Sequence, residues 1–161
     1  MDRKFLIAFY SRTGNTERIA RMIHQQIGGT LHRIIPASPY PKAYHETVDQ
    51  AKQEIKSRFH PPLRDSLTSI GAYDPILIGS PNWWSTIAPP VATFLSQHDL
   101  SGKTIAPFCT HGGGGLGHMT EDITGFCPKA ILLKPLLVYG QGRTSIEAQV
   151  VVWLEEISQE V

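Results

Sequence analysis

Three short segments combine residue types and spacings that could do chemistry. The first, Ser11 Arg12 Thr13 Gly14 Asn15 Thr16, sets three hydroxyls, an amide, a guanidinium and a glycine between an apolar run and a helical stripe. Side-chain donors and free backbone N–H groups at the positive end of the following helix would make a phosphate cradle. It has neither the lysine of an ATP-binding loop nor the glycine spacing of the dinucleotide fingerprint, so it suits a terminal monophosphate. A Ser/Thr-rich helix cap is the alternative. The second segment runs Ser80 Pro81 Asn82 Trp83 Trp84 Ser85 Thr86 Ile87 Ala88 Pro89. Adjacent tryptophans cannot both face one core, so at least one lies near the surface, where a flat aromatic ligand could use it. The third is Thr110 His111 Gly112 Gly113 Gly114 Gly115 Leu116 Gly117 His118, whose glycines let backbone approach a ligand and aim successive N–H groups at it.

Two other chemistries fit that third segment poorly. Gly112, Gly114 and Gly117 satisfy G-x-G-x-x-G, but the loop follows the fourth strand and the residues about 20 positions on, around Leu137, are apolar rather than acidic. His111 and its glycines suit an esterase oxyanion loop, yet the chain has no G-x-S-x-G elbow, so acyl transfer is disfavoured.

These segments need a scaffold that brings them together. Phe5 to Phe9 is apolar on both faces, as an inner strand covered on two sides must be. Ile19, Met22, Ile23 and Ile27 form a helical stripe stopped by Gly28 Gly29. Leu31 to Ile35 reads as a second strand, and Val48, Ala51, Ile55 and Phe59 as a helix ending before Pro61 Pro62. A third strand covers Pro75 to Ser80, a helix opens at Pro89 Pro90, Thr104 to Thr110 is a fourth strand and Ile131 to Tyr139 a fifth. Ile146, Val150, Trp153, Leu154 and Ile157 are the stripe of a closing helix. Strand and helix thus alternate about five times, the pattern of an open parallel sheet covered on both faces, in one domain over residues 1–161. Pro107 cannot donate to a ladder, so a bulge or unpaired position is expected there.

Composition narrows the classes further. With 161 residues, 41% hydrophobic and 18% charged, the chain is neither disordered nor repetitive, and a net charge of +1 is too small for a dedicated nucleic-acid binder. The charge is uneven: residues 1–64 carry 11 basic and 5 acidic side chains, net +6, and residues 65–161 carry 4 and 9, net −5. Cys109 and Cys127 match neither a C-x-x-C pair nor a zinc knuckle, and His24, His32, His45, His60 and His98 have no metal-ligand spacing, so no metal site is expected. The N-terminal apolar run, Phe5 to Tyr10, is too short for a signal h-region or a membrane span. These features predict a cytoplasmic protein with no membrane or nucleic-acid partner.

Taken together, the three segments resemble the flavodoxin family, in particular its flavodoxin-like branch with a tryptophan-bearing second loop. Ser11 to Thr16 is similar to its phosphate loop, Pro81 to Pro90 to its flavin-stacking loop, and Thr110 to Gly117 to its loop around the flavin's pyrimidine edge. Tyr40 Pro41, Tyr44 and Arg58 to Leu63 also resemble this branch, and the early Gly140 leaves no room for the long insertion of some members. The resemblance implies an α/β three-layer sandwich, a five-stranded parallel sheet in the order 2-1-3-4-5, and noncovalent FMN. The flavin would carry the redox chemistry, with no side chain needed as nucleophile. It implies an electron carrier working with a redox partner protein, as a monomer or weak dimer. The pI near 7.9 and the basic first 64 residues depart from the acidic carriers of the family, so an NAD(P)H-dependent flavin or quinone reductase is the alternative.

Overall fold

A computed structural model describes residues 4–140 and 145–160. In chain order the elements are β1 (Leu6–Phe9), α1 (Asn15–Ile27), β2 (Thr30–Arg33), α2 (Tyr44–Ser57), β3 (Ile76–Trp83), β4 (Thr86–Ile87), α3 (Pro89–Gln97), β5 (Thr104–His111), α4 (Met119–Phe126), β6 (Ile131–Leu132), β7 (Leu136–Tyr139) and α5 (Ile146–Glu160). The sheet runs β2-β1-β3-β5, with β6 and β7 both against the outer side of β5. All these pairings are parallel, which gives the expected order 2-1-3-4-5; only β4 pairs antiparallel, with β3.

Successive side chains of a strand point to opposite faces, and β1 shows both faces dry. Leu6 and Ala8 join Ile76, Ile78, Ile105, Val91, Phe94 and Ile123 in a layer beneath α3 and α4. Ile7 and Phe9 join Leu77, Ala106 and Phe108 with Ile19 and Ile23 of α1 and Val150, Trp153 and Ile157 of α5. Phe108 packs so closely on Gly79 that a Cβ there would stand 2.2 Å from its ring. Among the described residues no helix is long and apolar enough to cross a membrane.

Pro107 explains one departure from expectation. No bulge forms, since Pro107 keeps register with Ile78 of β3. On the other side of β5, the carbonyls of Ile105 and His111 accept from Leu133 and Gly140, so Pro107 faces that side by the two-residue period. There its missing N–H leaves a gap, and the expected continuous fifth strand is split into β6, ending at Leu132, and β7, starting at Leu136. Two elements were not foreseen. Helix α4 buries only Met119 and Ile123, too few apolar positions to reveal a period. Strand β4 is two residues long and follows a two-residue turn.

A pH effect follows from the packing between β2 and α3. His32 and His98 flank Phe94 with ring centroids 5.9 and 4.7 Å away, and the Nε2 atoms of both are buried without a partner among the described residues. Burial holds both imidazoles below the usual histidine range; for His32 the nearby His98 adds to this and Asp65 opposes it. The unfolded chain therefore binds protons first as pH falls, so this contribution to stability is complete above about pH 6.5 and is lost below it. Urea midpoints should decline between about pH 7 and 5, and the double variant His32→Gln, His98→Gln should flatten that decline.

Candidate functional site

The chain crosses from β1 to β2 in one direction along the sheet and from β2 through α2 to β3 in the other, so the order reverses beside β1 and β3. Crevices for ligands open at the carboxyl ends of strands at such points. A cleft of about 460 Å³ lies there. Of the sixteen expected site residues, Ser11, Arg12, Thr13, Asn15, Thr16, Pro81, Asn82, Trp83, Trp84, Thr110, His111 and Gly112 line it. Gly14, Gly113, Gly114 and Gly115 do not, although Thr13 and Asn15 on either side of Gly14 do.

At the β1 end, Gly14 caps α1 with φ 104°, a conformation glycine adopts without strain, and no side chain caps the helix. Ser11 Oγ instead accepts from the Gly14 N–H at 3.1 Å, closing the turn. The helix-cap alternative is therefore not the arrangement formed, and the first N–H groups of α1 are left for water or an anion. Thr16 and Thr110 join the first and third loops beneath the cleft by a hydroxyl–hydroxyl bond of 2.8 Å.

The second loop is a hairpin. Trp84 and Ser85 both have positive φ, 55° and 66°, as the two central residues of a type I′ turn require. This conformation normally falls to Asn-Gly, and holding bulkier residues in it costs about 1–3 kcal/mol each. The two tryptophans part company there. Trp83 is wedged edge-on between Tyr10 and Tyr40, with centroids 5.3 and 5.1 Å away. Trp84 remains 48% exposed, its indole N–H donating to the Val48 carbonyl of α2 at 3.0 Å and Lys52 Nζ 5.1 Å from its ring. Behind Trp83, the Tyr40 hydroxyl donates to buried Glu54 at 2.5 Å, and Gln50 donates to the same carboxylate. Burial pushes the Tyr10 and Tyr40 phenols up, with Glu54 adding to the rise at Tyr40 and Arg12 and Arg33 moderating that at Tyr10.

The glycine loop organises itself around His111. Its Nδ1 accepts from the N–H groups of Gly113 at 3.2 Å and Gly115 at 3.1 Å, so Nδ1 is the unprotonated ring nitrogen. Those two N–H groups, expected from the sequence to face a ligand, are thereby directed at His111 instead. Two bonds tie this loop to the hairpin: Asn82 Nδ2 donates to the Gly115 carbonyl at 2.7 Å, and the His118 N–H donates to the Ser85 carbonyl. Cys109, buried below, is pushed up to about 12 by burial and stays a neutral thiol.

Sequence reasoning missed the wall supplied by α2. Thr47, Val48 and Ala51 line the cleft together with Tyr44, as does Gly140 after β7. Ala51 was read only as part of a buried stripe, and periodicity alone could not separate its ligand side from its core side.

A doubly wound parallel sheet with three strand-end loops around one cleft defines the flavodoxin-like class of fold. Comparison with known proteins makes this specific: the model of the family described as Flavodoxin matches residues 4–157, and the chain belongs to the flavodoxin family. It is 27% identical over 129 residues to Flavodoxin 1 of Escherichia coli strain K12, a match covering 75% of this chain and 53% of that protein. The chain thus spans about half the length of the curated relatives it matches. A crystal structure from Bacteroides eggerthii, described as a flavoprotein, superposes with a TM-score of 0.85 at 31% identity, covering 98% of this chain and 99% of that one. The fold is also that of a flavoprotein from Lactobacillus acidophilus solved in complex with FMN, with a TM-score of 0.77, 23% identity and coverage of 95% and 99%.

Proposed function

We propose that this chain binds FMN noncovalently in the three-loop cleft and acts in electron transfer, as a single flavodoxin-like domain in a reducing, cytoplasmic compartment. The observation that carries this reading is the convergence on one 460 Å³ cleft of an uncapped helix start, an exposed tryptophan and a glycine-rich loop. Family membership and the FMN complex of the Lactobacillus acidophilus protein support the cofactor. The donor set fits it: Ser11, Thr13, Asn15 and the first N–H groups of α1 would hold the phosphate, and Trp84 would face the ring system. Pro81, Asn82 and Gly112 would border its edge. Bound FMN supplies one- and two-electron redox chemistry, while the chain binds it, orients it and excludes water. Cys109 and Cys127 are both free and buried, which suits a reducing compartment.

Trp84 is assigned the stacking role because Trp83 is fixed among tyrosines. Trp84→Ala should weaken FMN binding about ten- to hundredfold and restore flavin fluorescence, with little change in thermal midpoint because the side chain lies outside both core layers. Trp83→Phe should lower the midpoint more than it lowers affinity.

One observation favours the reductase reading: Arg12 lines the cleft, and no carboxylate lies within ion-pair distance of it among the described residues, so a dinucleotide phosphate would find an unmatched cation. Anaerobic mixing of FMN-loaded protein with NADH and NADPH separates the two. A carrier's flavin absorbance persists for minutes, whereas bleaching within seconds would make the protein a reductase.

A further inference from the structure

We propose that the face around Arg12, Arg33 and Lys42 docks an acidic redox protein. This rests on the electron-transfer reading and gives the partner its chemistry. A recess of about 400 Å³ at the carboxyl ends of β1 and β2 is bordered by these three cations with Tyr10 and Tyr40, and it shares Ser11 and Arg12 with the FMN cleft. Hydrogen bonds link the cations into a continuous band. Arg12 Nη2 donates to the Lys42 carbonyl at 3.1 Å. Arg33 donates to Glu17 at 2.7 Å and to the Ser11 carbonyl at 3.4 Å, and Arg21 donates to the same Glu17 at 2.9 Å. Arg21 and Arg33 thus share the Glu17 carboxylate, and neither Arg12 nor Lys42 forms an ion pair among the described residues. Lys52 adds a fifth cation beside Trp84.

A cofactor phosphate of about two charges would leave this region net positive. The band continues along α1 to Arg21, beyond the recess, so it matches an extended acidic surface better than one small anion. Exposed charges of one sign act over a Debye length of about 8–10 Å and raise the encounter rate of an oppositely charged partner. Residues 1–64, which supply all five of these cations, carry a net charge of +6.

The test uses FMN-loaded protein reduced with dithionite and freed of excess reductant, mixed anaerobically with acidic cytochrome b5 or basic cytochrome c. Each ferric haem accepts one electron from the flavoprotein and becomes ferrous. Cytochrome b5 should react with a rate that falls about five- to tenfold as salt is raised from low to physiological or above, while the rate with cytochrome c rises or stays flat. Lys42→Glu should slow cytochrome b5 about three- to tenfold at low salt. Lys42 gives Arg12 only its backbone carbonyl, so that bond survives the change. Lys129→Glu makes the same change in net charge at the amino end of β5, where the Lys129 carbonyl accepts from Gly102, and should leave the rate nearly unchanged. Equal effects of the two variants, or a rate with cytochrome c that falls with salt, would overturn the proposal. So would rapid bleaching by NADPH that Lys42→Glu slows, which would assign the band to a dinucleotide. A protein with no flavin spectrum after FMN addition would instead refute the cofactor reading, and the docking proposal with it.

Discussion

Gly117→Val should cost FMN at least about a hundredfold in affinity while leaving the sheet folded. Gly117 has φ +59°, and a Cβ there would lie 2.4 Å from the Ser85 carbonyl oxygen and 2.7 Å from the Ser85 Cα. Both obstacles are main chain, so no side-chain rotation relieves them. A side chain in left-handed backbone costs about 1–2 kcal/mol, and overpacking adds about 1–3 kcal/mol. The least costly escape is to part the glycine loop from the Trp84–Ser85 turn, breaking the bond from the His118 N–H to the Ser85 carbonyl and moving the Gly112 wall of the cleft. Because Gly117 belongs to neither core layer, circular dichroism should be near wild type. Gly117→Ala should behave similarly, since the conflict begins at Cβ. Gly114→Ala is the control: its backbone is not left-handed and its Cβ would meet only Asn82 Nδ2, at 3.5 Å, so affinity should change less than about tenfold.

Riboflavin should bind at least about a hundredfold more weakly than FMN. The start of α1 has no side-chain cap, and Ser11 Oγ is engaged by Gly14, so an anion is the group best able to meet the first N–H donors together with Thr13 and Asn15. Each charge-assisted bond contributes about 1.5–3 kcal/mol, and removing the phosphate removes several at once. Thr13→Ala should narrow the gap by about ten- to hundredfold, acting on FMN and sparing riboflavin, because Thr13 is exposed and supports no core contact. Calorimetric titration of both ligands against both proteins provides the four affinities; equal affinities for wild type would return the segment to an ordinary helix start.

How much of this was legible in the sequence depended on whether a signal was local. The parallel strands were readable because runs such as Ile76 Leu77 Ile78 are apolar on both faces, and each lies fully buried. The Ser11–Thr16 segment and the glycine loop were readable as candidate walls of a cleft because their composition is extreme. The break in the last strand was not, because it depends on which side of β5 Pro107 presents, a matter of register with Leu133 and Gly140. The different fates of Trp83 and Trp84 were likewise hidden, since they depend on Tyr10, Tyr40 and Val48 from distant segments. His111 lines the cleft as expected, but only the folded loop shows its Nδ1 turned to Gly113 and Gly115. The wall from α2 was invisible for the same reason, as Thr47 and Ala51 reach the cleft only by tertiary packing.

The central claim, that the three loops form one FMN site, is tested most directly by titrating FMN into the apoprotein while following tryptophan and flavin emission together. Saturable one-to-one quenching of both, submicromolar in affinity and lost from the flavin signal in Trp84→Ala, is the expected result. Emission from both chromophores unchanged at saturating FMN would contradict the site.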